Sequence, residues 1–373
     1  MKTLATSWFK VVVMACLFAS LCGQALAQPG SQELSADQRT RLDDILIDSQ
    51  ALYGTIGYSV VLLAGAEVIY ENHGGVVDQV SGAAPDGSSV YPVYSASKLL
   101  FNVALLQAVE RQEIALDATL GTLVTDLPES WKQVSLATAI SHASGFPEYF
   151  SRPFEPTARS ALERVFDEPF LFERGTGSRY TQTNYALGRL ALERASGQPY
   201  ETLLAQGQAA VAGMSDLEIF REGAHIDNAV TSYQSEAEGG GSRGMLYWMP
   251  YHFSGTGLNL SLDDFTLWAQ ALVRGRFVPR ETLLEHWQGF ALADGGLSRF
   301  SHGWEFEQHG EFTGVGHGGG GRVVFRHYFD ADAPDTSVTV VYLDNGGTRY
   351  FSQSRLALRL ASVVMPELSE GAE

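Results

Sequence analysis

Strand-forming runs lie at both ends of this chain, with a mostly helical stretch between them, and this constrains the fold more than any other feature. Ser59–Ala64 (SVVLLA) and Glu67–Glu71 (EVIYE) are β-rich and joined across Gly65, a hairpin pattern. Gly303–Glu307, Arg322–Phe329 and Ser337–Leu343 read as strands near the other end. The simplest packing is an α+β fold. One antiparallel sheet is built from both chain ends and flanked by the terminal helices, and the middle is inserted as a helical lobe. A site is then expected in the cleft between sheet and lobe.

The helices can be placed from pattern. Ser35 with Gln38 three residues later forms a capping signature, and Leu42, Ile45, Leu46 and Leu52 carry the apolar stripe beyond it. Lys98–Arg111 is apolar nearly all round (Leu99, Leu100, Phe101, Val103, Leu105, Leu106, Val109), so that helix is expected to be buried. Further helices are expected at 184–196, closed by Gly197, at Leu262–Val273, and at about 352–364.

The chain has 373 residues, 25 Lys plus Arg against 43 Asp plus Glu, and a formal charge of −18. Lysine occurs only at positions 2, 10, 98 and 132. No basic stripe can be built from that, which argues against nucleic acid as a partner. Lys2 and Lys10, the apolar run Val11–Leu21 and Ala25-x-Ala27 read as a signal peptide over 1–27, with a polar linker over 28–33. One domain is expected over 34–366, then an acidic tail over 367–373. The chain is thus expected to be exported, periplasmic or secreted, without a stable membrane anchor. Both cysteines fall before residue 28, so thiolate chemistry and disulfides are excluded from the expected mature chain.

Ser95-Ala96-Ser97-Lys98 opens the buried helix. Residues i and i+3 share a helix face, so the spacing predicts the Lys98 amine beside the Ser95 hydroxyl. Serine attacks only when a base takes its proton, and an ordinary lysine is protonated at neutral pH. Burial lowers a lysine pKa by disfavouring the charged form, and Lys98 is followed at once by Leu99-Leu100-Phe101. The bland account of the segment is a capping Ser95 with a snorkelling Lys98.

Two further segments shift the weight. Tyr180-Thr181-Gln182 leads into a helix, and His317-Gly318-Gly319-Gly320 leads into the strand Arg322–Phe329. With Ser95-x-x-Lys98 they make the chain resemble the serine β-lactamase and penicillin-binding-protein superfamily, in its class C β-lactamase, DD-peptidase and family VIII esterase branch. SHASGFPEY (141–149) and GTGLNLSLDDFTLWAQAL (255–272) are similar to further stretches of that superfamily. The resemblance covers about 38–362 and implies a β-lactamase/transpeptidase-like fold without cofactor or metal. It implies Ser95 as nucleophile, Lys98 and Tyr180 sharing proton transfer, and an oxyanion hole of the Ser95 and Gly320 N–H groups. Gln182, His317, Gly318 and Gly319 would contact substrate. The implied partner is a small-molecule ester, amide or peptide.

The chain departs from the family at two positions. Gln182 stands where the Y-x-N motif has Asn, and His317 stands where class C β-lactamases have Lys. An ordinary His, with pKa about 6.5, is mostly neutral at pH 7, which favours esters or uncharged amides over carboxylate-bearing substrates. The alternatives are a class C-like β-lactamase, a D-amino-acid-specific peptidase, and a non-catalytic penicillin-binding-like sensor.

Other patterns read as decoys. Gly240-Gly241-Ser242-Arg243-Gly244 fits G-x-S-x-G, but no strand precedes it and the His-Gly-Gly-Gly run comes after it, against the order of an α/β-hydrolase. Nine histidines include no H-E-x-x-H pair, and His142 is expected to pack locally. Tyr247, Trp248, Tyr251 and Phe253 are candidates for an acyl pocket, against the commoner role of core.

Overall fold

Ser35 opens the first helix through a reciprocal cap. The Gln38 N–H donates to Ser35 Oγ, and the Ser35 N–H donates to Gln38 Oε1 at 3.0 Å. Helix α1 (Ala36–Tyr53) follows and ends at Gly54. The computed structural model describes residues 33–150, 153–215, 217–219, 225–233, 249–347 and 352–369. The expected signal segment 1–27, residues 28–32 of the linker, the Gly240–Gly244 pattern, Tyr247, Trp248 and residues 370–373 lie outside the described residues.

The strands are β1 (Gly57–Ala64), β2 (Glu67–Gly75), β3 (Val90–Pro92), β4 (Glu218–Ile219), β5 (Leu258–Ser261), β6 (Phe300–Ser301), β7 (Trp304–His309), β8 (Phe312–Gly319), β9 (Val323–Asp330) and β10 (Ser337–Asp344). Seven of them form one antiparallel sheet in the order β2-β1-β10-β9-β8-β7-β6. The first hairpin thus joins the C-terminal strands through β1 and β10, as the split of strand runs predicts. A smaller sheet, β3-β5-β4, ties the middle of the chain together.

Alternation along the strands makes two cores. Val60 pairs with Tyr342 and Leu62 with Val340, and all four pack with Leu42 and Leu46 of α1 and with Leu356 and Leu360 of the helix Gln353–Val364. Val61 and Val341 face the opposite way. They join the larger core under helix α2 (Ser97–Glu110) and the helix Leu262–Val273. Every residue of α2 from Ser97 to Ala108 is buried, as its all-round apolar sequence requires. Phe101 meets Tyr185 of the helix Gln182–Ser196 edge-on at 5.3 Å.

Pattern reading misses one strand that matters. It places the glycine-rich run ahead of a strand, whereas His317, Gly318 and Gly319 are themselves the last residues of β8. Glycine packs poorly in strands and so hides them from such a reading. Phe253, an acyl-pocket candidate, is fully buried in the larger core, and Tyr251 donates its hydroxyl to the Glu155 carbonyl.

Candidate active site

Ser95 sits in a 3₁₀ turn, Tyr94–Ala96, that feeds directly into α2. Tyr94 holds φ at 47°, a left-handed conformation uncommon for a bulky residue. Neighbouring groups hold the turn. Ser97 Oγ donates to the Tyr94 carbonyl at 2.6 Å and accepts from the Leu258 N–H of β5 at 3.2 Å. Ser97 is therefore structural, and Ser95 is the half-buried hydroxyl of the motif. The end of β8 presses against the same turn. A Cβ on Gly319 would lie 2.3 Å from the Val93 carbonyl oxygen, so only glycine allows this approach.

Lys98 is fully buried. Its amine donates to Gln182 Oε1 at 2.8 Å and to the Gly255 carbonyl at 2.7 Å. The group hydrogen-bonded to Ser95 Oγ is the Tyr180 hydroxyl, which donates to it at 2.9 Å. The i, i+3 spacing thus brings Lys98 to the site, but its hydrogen bonds run to residues distant in sequence. Burial pulls the Lys98 amine down to about 7, partly resisted by Glu148 and Glu305. Burial pushes the Tyr180 phenol above its usual range. Both shifts favour the neutral form. A neutral Lys98 amine that donates two N–H bonds keeps a lone pair.

Gln182 takes the place of the family asparagine without losing Lys98. Its Nε2 reaches the Tyr180 hydroxyl at 3.4 Å, and its backbone N–H donates to Glu148 Oε2 at 2.9 Å. Room for the longer amide comes from Gly255, where a Cβ would stand 2.6 Å from Gln182 Oε1. Asn184 turns the other way, toward His142, Ser144 and Thr181.

Pairing of β7 with β8 ends at Glu305–Gly316, so His317–Gly319 run past the end of β7. There they border a cleft of about 530 Å³ whose lining includes Ser95, Tyr180, His317, Glu305, Arg179 and Arg299. His317 is buried, and its Nδ1 lies 2.6 Å from the Gly318 carbonyl, which places the proton on that nitrogen. Burial lowers its pKa to about 4, well below the ordinary value expected from sequence, so it carries no charge at neutral pH. Burial would raise the Glu305 carboxyl, but the buried Arg326 beside it prevails and holds it at about 2.

Arg179, Arg299, Glu305, Glu148 and Gly255 are site residues that no sequence motif marks. Glu148 and Gly255 lie within the family-like stretches 141–149 and 255–272, but nothing in those stretches marks a carbonyl as the acceptor for a lysine. The rim arginines carry no motif at all. Among the described residues no group of three or more His, Cys, Asp or Glu is placed to hold a metal ion. No helix among them is long and apolar enough to cross a membrane.

The sequence matches a family model, Beta-lactamase, over residues 42–364. This chain belongs to the beta-lactamase family. The matched region contains all three motif segments. The D-aminopeptidase of Brucella canis is 23% identical over 276 residues, covering 70% of this chain and 51% of that protein. The chain thus spans about half the length of the curated relatives it matches. The octameric penicillin-binding protein homologue from Pyrococcus abyssi superposes with a TM-score of 0.74 at 18% identity, covering 88% of this chain and 77% of that one. EstCE1, a hydrolase with promiscuous acyltransferase activity, gives a TM-score of 0.72 at 18% identity, covering 88% and 98%. These two likenesses establish the shared beta-lactamase-type fold.

Proposed function

We propose that this beta-lactamase-family protein is an exported serine hydrolase that cleaves small esters or amides through an acyl-enzyme on Ser95. The observation that carries the reading is the Tyr180 hydroxyl on Ser95 Oγ, joined through Gln182 to a buried amine. Ser95 Oγ attacks the acyl carbonyl and gives up its proton, and the alcohol or amine departs with a proton. Water then releases the acid and restores Ser95. With its pKa near 7, Lys98 is the group able to take a proton at neutral pH. Tyr180, whose hydroxyl lies on Ser95 Oγ and whose ring centroid is 4.8 Å from the Lys98 amine, shares the proton-transfer work, its phenol kept neutral by burial. The Ser95 and Gly320 N–H groups receive the oxyanion.

Substrate class follows from charge. A neutral His317 offers no cation beside the strand, and the arginines of the cleft, Arg179 and the Glu305-paired Arg299, are exposed. Exposed charge pairs contribute about 1 kcal/mol or less, so a substrate carboxylate gains little here and a neutral ester loses nothing. A second reading, cleavage of D-amino-acid peptides or amides, is favoured by the similarity to a D-aminopeptidase; Glu305 borders the cleft as a carboxylate but is paired with Arg326 and Arg299.

The deciding experiment is a hydrolysis panel of p-nitrophenyl butyrate, nitrocefin, D-alanine p-nitroanilide and a D-Ala-D-Ala peptide, beside Ser95→Ala. Ester turnover above nitrocefin turnover at pH 8 is expected. Nitrocefin turnover equal to ester turnover returns the protein to β-lactam hydrolysis, and a stable Ser95 adduct with every substrate makes it a sensor. Export is tested by fractionating cells that express the full chain, with recovery of cytoplasmic protein still carrying residues 1–27 as the contrary result.

A further inference from the structure

His142 lies behind the reacting groups, fully buried, and acyl transfer through Ser95, Tyr180 and Lys98 does not use it. Besides ring contacts to Phe300 and Tyr185, three of its contacts fall on Tyr180 and its two neighbours. The His142 carbonyl accepts from the Arg179 N–H at 2.8 Å, and its Nδ1 accepts from the Thr181 N–H at 3.3 Å. Its ring lies on the Tyr180 ring, with centroids 4.6 Å apart. The residues immediately before and after Tyr180, and the face of its phenol, are thus held by one side chain and its own carbonyl.

A second layer fixes His142 in turn. Asn184 Nδ2 donates to Nδ1 at 2.9 Å, and Asn184 Oδ1 accepts from Ser144 Oγ at 2.6 Å. Two donors on Nδ1 leave the ring proton on Nε2, and that nitrogen is buried without a hydrogen-bond partner among the described residues. The backbone at His142 also takes φ of 57°. A residue that needed only to fill space would meet neither demand. Phenylalanine would keep the stack but accept nothing from Thr181, and glutamine would accept but not stack.

We propose that His142 is the positioning residue for Tyr180, clamping both flanks and the ring face so that the phenol oxygen stays on Ser95. This rests on the reading of Tyr180 as a proton-transfer group. A displacement of about 1 Å in such a group can cost about a hundredfold in rate.

The test uses His142→Phe, which removes the acceptor, and His142→Gln, which removes the stack, each in wild type and in Tyr180→Phe. Turnover of p-nitrophenyl butyrate and the rate of Ser95 inactivation by a phosphonate ester are measured on variants whose folding is checked by circular dichroism. In wild type each change should lower kcat by about tenfold to a hundredfold with KM moved less than about threefold. In Tyr180→Phe the same change should alter the inactivation rate less than about twofold, because the partner it positions is gone. Equal losses in both backgrounds overturn the proposal, as does either single variant retaining more than half of the wild-type rate. Failure of both variants to fold overturns it too, since His142 is then a folding residue. Wild-type activity in Tyr180→Phe alone defeats the underlying reading of Tyr180, a result distinct from the others.

Discussion

The Tyr180 hydroxyl stands 2.9 Å from Ser95 Oγ across 85 residues of sequence. Lys98, only three residues from Ser95, directs its hydrogen bonds to Gln182 and Gly255. The hydroxyl bonded to the serine is therefore the tyrosine's, so on the proposed mechanism loss of Tyr180 should be separable from loss of Lys98. Ser95→Ala should abolish ester hydrolysis and the phosphonate adduct seen by intact mass. Tyr180→Phe should keep a slow adduct while lowering kcat by about a hundredfold or more, the usual range for a proton-transfer group. An adduct that persists in Ser95→Ala moves the nucleophile elsewhere.

Lys98 sets the pH dependence. Burial lowers its amine to about 7; with the neutral amine as the proposed base, kcat/KM should rise through about pH 7 and level off above it. Lys98→Arg should be nearly inactive at every pH, since guanidinium does not lose its proton. Stability carries the same signature. The folded pKa lies below the unfolded value of about 10.5, so wild type loses stability as pH falls from that value toward 7. The Tm of Lys98→Met relative to wild type should therefore increase as pH is lowered from 10 to 7. A pH-independent difference in Tm contradicts a buried neutral amine.

Gln182 accepts from Lys98, and an acceptor favours the charged amine. Gln182→Leu should therefore move the kinetic midpoint below that of wild type while lowering the plateau rate. A midpoint that rises instead shows that the amide acts mainly by another route.

On the proposed reading a substrate's charge meets a neutral His317 and an exposed Arg299 that is paired with Glu305. Arg299→Ala should lower kcat/KM for carboxylate-bearing substrates by no more than about fivefold, the scale of an exposed pair, and leave p-nitrophenyl butyrate unchanged. His317→Lys should improve nitrocefin relative to the ester at pH 8. An equal response of both substrates to each change removes charge as the basis of selection.

Much of the fold is legible in sequence because its signals are local. The Ser35–Gln38 cap, the Gly65 hairpin and the apolar girth of α2 each depend on neighbours within a few residues. Ser95, Lys98, Tyr180 and His317 stand out through their motifs, and the fold brings them to one site. What sequence does not disclose depends on distant pairs. Tyr180 meeting Ser95 in place of Lys98, the Gly255 carbonyl as lysine acceptor and the arginines on the cleft all arise when β8, β5 and the helix Gln182–Ser196 converge on the turn at Tyr94. Sequence marks His142 as a residue of local packing, and its local contacts are real. Its place beneath Tyr180 is invisible there, because nothing in the His-Ala-Ser-Gly stretch says which ring will lie on it.

The pairing of β1 with β10, Tyr58 opposite Asp344 and Ala64 opposite Val338, also governs timing. Strands β1 and β10 are joined across almost the whole described chain, and closing so long a loop is slow relative to forming local helices. The hairpin made first must wait, with one edge unpaired, until the last strand has been synthesised. The cleft comes into being at that moment, since its walls are drawn from the early turn and the late strands alike. On a growing polypeptide, protection from protease and the first turnover should therefore appear together, and late.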